Sequence, residues 1–231
     1  MTGQSSLCTD DRSAVTLLTL TGPDSADETR ALALLPEATR RRIAAFQHPA
    51  RRRQTLWGRL LALAESRQLG EPLCEEPPYP PYLATATGRR TLSIAHTGHT
   101  IALGVASLAD PVMGLDIETL RPVRSIEGMS RMIFGEAAES VVRECRETGN
   151  TEAFFRTWGM KESEIKLNRG AAGYRLALGP DGHPCVLDPE GHSLLVTHLA
   201  FDALRLTVLT SLTTPVIRHT TDVALLHALG L

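Results

Sequence analysis

Two stretches of period-two alternation, Thr91–His96 and Thr100–Leu108, flank a Thr-Gly-His turn at 97–99. Alternation at that period sends successive side chains to opposite faces, the geometry of a strand and of no helix. A β-hairpin therefore sits near the middle of the chain, and one of its faces must be covered by something apolar. The segments around it say what does the covering. Ala14–Leu20 reads as a strand, and Ala26–Gly70 reads as helical with a break near His48-Pro49. Glu71–Tyr82 is a proline-rich loop. After an Ala-Asp-Pro turn, Val112–Glu118 is a third strand of this group, and helical patterns follow at Glu136–Glu147 and Thr151–Arg169. The last third returns to strands: Tyr174–Leu178 and Cys185–Leu187 across Gly-Pro-Asp-Gly, then Ser193–Ala200 and Leu204–Ser211. Helices followed by antiparallel strands occur twice. The order predicts an α+β protein of two similar halves, 1–110 and 111–231, each with helices packed on a small antiparallel sheet.

At 231 residues the chain is long enough to bury a core. With 22% charged residues and a net charge of −2, it does not read as disordered or as a broadly basic nucleic-acid binder. No apolar run reaches membrane-spanning length, and the first twenty residues carry Asp10 and Asp11 instead of a basic start and an apolar stretch. Cys8, Cys74, Cys145 and Cys185 are far apart and read as free thiols, with neither a disulfide frame nor a zinc site. These features predict a cytoplasmic protein.

Lysine occurs only at 161 and 166, within Trp-Gly-Met-Lys-Glu-Ser-Glu-Ile-Lys, while the other 22 basic residues are arginine. Lysine is a compact point charge and arginine a broad planar fork, so a phosphate oxygen or a crowded acidic pocket favours lysine. Chance in an arginine-biased composition is the plain alternative.

In the strand before the helices, Gly114, Asp116 and Glu118 share one face, and Met113, Leu115 and Ile117 share the other. Two carboxylates that close repel unless a cation lies between them. They are hard ligands suited to magnesium, and the missing side chain at Gly114 leaves room for a ligand. An exposed strand with a polar face would look the same. On the helix, Glu162 and Lys166 are four apart and share a face, with Trp158 and Ile165 on an adjoining apolar side. Alone, the pair reads equally as a surface ion pair. Arg40–Arg42 and Arg51–Arg53 read either as a solvated helix face or as a basic ligand site.

Met-Gly-Leu-Asp-Ile-Glu (113–118), then 41 residues between Asp116 and Trp158, then the lysine-bearing helix, resembles the signature of the 4′-phosphopantetheinyl transferases. The length resembles the larger Sfp-type class, in which two similar halves form one pseudo-twofold monomer. Leu-Ser-Ile-Ala-His-Thr-Gly (92–98), Thr-Gly-Arg (87–89) and the stretch from Pro36 to Gly58 extend the resemblance upstream. Its implications are specific. Such an enzyme moves the phosphopantetheine arm of coenzyme A to a serine of an acyl or peptidyl carrier protein and leaves 3′,5′-ADP. Magnesium would be held by Asp116, Glu118 and Glu162, with Glu162 also the base. Lys166 and Lys161 would hold phosphates, and Arg42, Arg53, Arg89 and His96 would hold the rest of coenzyme A. The site would lie where the halves meet. Neither nucleic acid nor membrane is an implied partner. Ala95, Arg90 and Gly159 depart from the family pattern, the last as a glycine inside a helix, which costs about 1 kcal/mol. Another magnesium-dependent phosphoryl or nucleotidyl transferase, or a non-catalytic coenzyme A or carrier-binding module, stays open as an alternative.

Overall fold

The computed structural model describes residues 11–21, 26–75 and 80–231. The first half contains β1 (Ala14–Thr19), α1 (Ala26–Ala33), α2 (Glu37–Ala44), α3 (Pro49–Leu69), β2 (Leu73–Cys74), β3 (Tyr82–Thr85), β4 (Gly88–Thr97) and β5 (Thr100–Val105). Then come β6 (Gly114–Thr119), α4 (Ile126–Ile133), a short 3-10 turn, α5 (Ala138–Thr148), α6 (Glu152–Asn168), β7 (Arg175–Leu178), β8 (Pro184–Leu187), β9 (Leu195–Phe201), β10 (Leu204–Thr210), β11 (Val216–Thr221) and α7 (Asp222–Leu229). The hairpin is present as β4 and β5, with His96 facing Ile101 and Thr97 facing Thr100.

The architecture is mixed α+β, with three sheets ordered β11-β1-β5-β4-β3-β2, β6-β10-β9 and β7-β8. Two apolar layers account for the stacking. One face of the first sheet, with Leu18, Leu92, Ile101 and Leu103, packs on Trp57, Leu60 and Leu61 of α3 and Leu225 and Leu229 of α7. The other face, with Val15, Leu17, Ala95 and Ala102, packs on Leu115, Ile117, Leu206 and Val208 of β6 and β10. Helix α6 covers the far side of β6 and β10. Strand parity therefore decides the layout: the apolar half of β6 faces the first sheet, and Gly114, Asp116 and Glu118 face α6.

The first sheet departs from the expected small antiparallel sheet. Its edge strand β11 comes from the end of the chain and runs parallel to β1, from Ala14 opposite Val216 to Thr19 opposite Thr221. The sequence Val216–Thr221 contains Arg218, His219 and two threonines, so no apolar alternation announced it. Helix α7 and α4 also lie in segments that carried no assignment, and α4 shows a serine N-cap, with Gly128 N–H donating to Ser125 Oγ at 3.2 Å.

Asp110, fully buried at the passage from β5 to β6, ties the two parts together. Its carboxylate accepts from the backbone N–H groups of Ser211 (3.0 Å), Leu212 (2.9 Å) and Thr213 (2.9 Å), fixing the loop that leads from β10 toward β11. These hydrogen bonds hold its carboxyl below the usual carboxylate range against the opposing effect of burial. Arg90 has a similar structural job. It is buried, donates to Glu71 (2.7 and 2.8 Å), to Asp11 (2.6 Å) and to the carbonyl of Ala106 (2.9 Å). Proline could make none of these bonds, which accounts for one of the family departures. Cys74, Cys145 and Cys185 are free thiols, and Cys8 lies outside the described residues. No helix among the described residues is long and apolar enough to cross a membrane.

Candidate functional site

Asp116 is only 7% exposed, held in β6 between Thr207 on β10 and the overlying α6. A buried carboxylate without counter-charge is costly. Lys166, on α6, supplies it: its Nζ donates to Asp116 Oδ1 at 2.8 Å and to the carbonyl of Leu115 at 2.8 Å. The other oxygen, Asp116 Oδ2, is buried with no hydrogen-bond partner. Glu118, two residues on, accepts from Trp158 Nε1 at 3.0 Å. Burial raises the Glu118 pKa, and the charges of Asp116 and Glu162 push it further in the same direction. Strand β6 and helix α6 thus bring Asp116, Glu118, Glu162 and Lys166 into one corner.

The tightness of that corner explains two glycines. A Cβ on Gly114 would lie 2.9 Å from both Leu167 Cγ and the Ser163 carbonyl, so α6 fills the space that was expected to admit a ligand. A Cβ on Gly159 would lie 2.8 Å from Thr207 Cβ, so the glycine that looked costly in a helix is what lets α6 sit on β10. Ile165 is 37% exposed and does not join the core, contrary to expectation. Phe154, Phe155, Met160 and Leu167 pack that helix instead.

A cavity of about 920 Å³ opens beside the acidic corner and is lined from both parts of the chain. Arg42, Arg51, Arg59, Arg89 and Lys166 give it a cationic side, with His96 among them, and Pro80, Val112, Met113 and Tyr174 an apolar side. Lys166 both lines this cavity and holds Asp116, so it joins the two features. Burial, then the charges of Arg51 and Lys166, lower the His96 pKa to about 4, which leaves the imidazole neutral at pH 7. Arg51 contacts its Nε2 and also lies over the Phe46 ring, 5.8 Å from the centroid. Arg89 stacks on Tyr82 at 4.3 Å.

Of the expected residues, Asp116, Glu118 and Glu162 lie in the corner and not in the cavity lining, and Lys161 and Arg53 are brought to neither. Lys161 Nζ pairs with Glu164 at 2.7 Å, because five residues of helix turn it about 140° away from Lys166. Arg53 donates to Glu28 at 2.7 Å, beside Trp57, whose Nε1 donates to the same oxygen at 2.8 Å. Arg51 and Arg59 are the residues that sequence reasoning passed over. They lie at i and i+8 with Thr55 between them, a single α3 stripe that a helical wheel of 51–59 would have separated from Arg53 and Trp57. Arg169, beyond the end of α6, was also missed and carried no periodic signal.

Among known proteins, the chain is 29% identical over 138 residues to the 4′-phosphopantetheinyl transferase AcpT of Salmonella typhimurium, covering 60% of this chain and 68% of that protein. That similarity supports a place for the chain among the 4′-phosphopantetheinyl transferases. No family model matches it.

The similarity gives the acidic corner a chemical test. Among the described residues no three carboxylate, histidine or cysteine side chains form a ready-made metal cage. Magnesium does not need one, since it keeps several waters and takes substrate phosphates as ligands. An orphaned buried oxygen on Asp116 beside two further carboxylates is a hard donor set that such an ion fits.

Proposed function

We propose that the protein transfers the 4′-phosphopantetheine arm of coenzyme A to a serine of an apo acyl or peptidyl carrier protein and releases 3′,5′-ADP. The observation that carries this reading is the shared lysine. Lys166 bridges a buried carboxylate with one unpartnered oxygen to a cavity of about 920 Å³ lined by arginines. Phosphoryl transfer asks the protein mainly for positioning and charge stabilisation, and both are supported here. Asp116, Glu118 and Glu162 would hold magnesium, which supplies charge neutralisation on the pyrophosphate and orients it.

The chain's own groups do the rest. Arg42, Arg51, Arg89 and His96 receive the nucleotide phosphates. Lys166 holds the pyrophosphate oxygens near Asp116. Glu162 takes the proton from the carrier serine as its Oγ bonds to the pantetheine-side phosphorus, and the bond from that phosphorus to the departing ADP oxygen breaks. Glu162 needs only modest basicity, because the developing charge is met by the surrounding cations. The same reading makes the protein an Sfp-type monomer of two pseudo-twofold halves, 1–110 and 111–231, the second lending β11 and α7 to the first, with the site at their junction, acting in the cytoplasm.

Intact-protein mass spectrometry tests the proposal. An apo-carrier incubated with this protein, coenzyme A and magnesium should gain the mass of one phosphopantetheine arm, and EDTA should stop the gain. Failure to modify fatty-acid, polyketide and peptidyl carriers alike would refute it and leave another phosphoryl transfer or a non-catalytic binding role.

A further inference from the structure

We infer that Glu164 and Asn168 are positioning residues that set one wall of the cavity, and that Lys161 belongs to their brace and not to the phosphate site. The inference rests on the coenzyme A reading of that cavity. It begins with an unusual burial: Glu164 lies within α6 and is only 6% exposed. A carboxylate so placed survives only if its oxygens are well supplied with donors. Glu164 Oε2 accepts from Lys161 Nζ at 2.7 Å and from the backbone N–H of Leu176 at 3.2 Å. Glu164 Oε1 accepts from Asn168 Nδ2 at 3.1 Å.

Asn168, the last residue of α6, extends the network into the turn that follows. Its Oδ1 accepts from the backbone N–H groups of Gly173 and Tyr174, both at 3.0 Å, and its Nδ2 donates to the Tyr174 carbonyl at 2.9 Å. The amide thereby uses both donors and both acceptor sites. A fully satisfied network of this kind makes the backbone around it rigid. The clamped segment carries Arg169, Gly170, Ala171 and Tyr174, all in the cavity lining, although Lys161, Glu164 and Asn168 are not. The brace acts on the ligand only through that wall. Loosening it should weaken coenzyme A binding while the acidic corner, anchored by β6 and the middle of α6, keeps its chemistry.

Calorimetric titration of coenzyme A into the protein gives the first test, since it needs no carrier and no turnover. Lys161→Met strands a buried carboxylate and should raise the Kd about tenfold, the loss of roughly one charge-assisted hydrogen bond. Lys161→Met with Glu164→Gln removes both charges but turns one amide donor toward Leu176 N–H or Asn168 Nδ2, so it should recover about threefold of the lost affinity. If the double variant stays as weak as the single, Lys161 touches the ligand and the proposal is overturned. In steady-state assays Asn168→Ala should raise KM for coenzyme A about tenfold, with kcat and the carrier KM changed less than about twofold. A loss of kcat at unchanged KM, or wild-type kinetics, would also overturn it. Circular dichroism checks that each variant is folded, and if Asn168→Ala is not, the lysine–glutamate pair decides. Wild-type protein that binds no coenzyme A would refute the function itself, a separate outcome.

Discussion

The acidic corner, which reaches the cavity through Lys166, and the arginine wall that lines it are built on different principles. Asp116 is 7% exposed and sits on a strand whose parity is fixed by Leu115 and Ile117 in the core. Lys166 reaches it from a helix held close by Gly114 and Gly159. Nothing there can turn away without disturbing two regular elements. The arginines hang on long side chains, with Arg42 and Arg51 exposed on α2 and α3. Others of the same helical region are taken up locally: Arg53 by Glu28 and Arg59 by Glu75. The difference teaches that a carboxylate's place can follow from the backbone pattern alone, whereas an arginine's depends on which carboxylate competes for it.

If the acidic corner is the preorganised half, its substitutions should be close to all-or-none. Asp116→Asn and Glu162→Gln should each lower kcat by roughly a thousandfold, about 4 kcal/mol of lost charge stabilisation, with the circular dichroism spectrum retained. Initial rates of carrier modification by mass spectrometry check this. A rate within tenfold of wild type for either variant would mean that the buried corner is structural and that the cation sits elsewhere.

The same contrast sets how far the sequence could be read. The β4–β5 hairpin, β6 and α6 follow from periodicity, and the two faces of β6 were assigned to the correct sides. A compact ammonium also suits position 166, where Lys166 meets two acceptors at 2.8 Å in a crowded acidic pocket. What could not be read was long-range. Strand β11 pairs with β1 some two hundred residues away, and its threonines, arginine and histidine give no apolar alternation. Gly114 reads as ligand space in a bare strand and becomes helix-packing space only once α6 is in place. Lys161 and Arg53 looked equivalent to Lys166 and Arg51 in a run of cations, but a helix turn sends each toward its own glutamate.

Arg51 and Arg53, two residues apart on α3, turn that lesson into a paired experiment. Arg51→Met should weaken coenzyme A binding about tenfold by calorimetry, roughly one charge-assisted hydrogen bond, with the melting temperature little changed. Arg53→Met should do the reverse. It removes the arginine partner of Glu28, whose side chain is 12% exposed and which also accepts from Trp57, and should cost about 2 kcal/mol of stability, while affinity stays within about twofold. Equal effects on affinity would show that the wall acts as a diffuse field and not as individually placed groups.

The smallest effect belongs to His96, which stands where the two regions meet, between Arg51 and Lys166. Its folded pKa is lowered to about 4 from an ordinary 6.5, first by burial and then by those two cations. Between these values the unfolded chain binds a proton that the folded protein refuses, so stability rises with pH across that window. The contribution is complete above about pH 6.5, is lost as the pH falls toward 4, and changes no further below. His96→Gln removes it. The variant should therefore lose less stability than wild type between pH 7 and pH 4, by about 1 kcal/mol once solvent screening of a partly exposed ring is allowed for. His198, also lowered to about 4, is present in both proteins and cancels in the difference. Urea titrations at several pH values measure the gap, which should close above pH 7. Parallel pH profiles for the two proteins would mean that His96 is not squeezed by the arginine wall and the acidic corner's lysine, and the two regions would then be electrostatically separate.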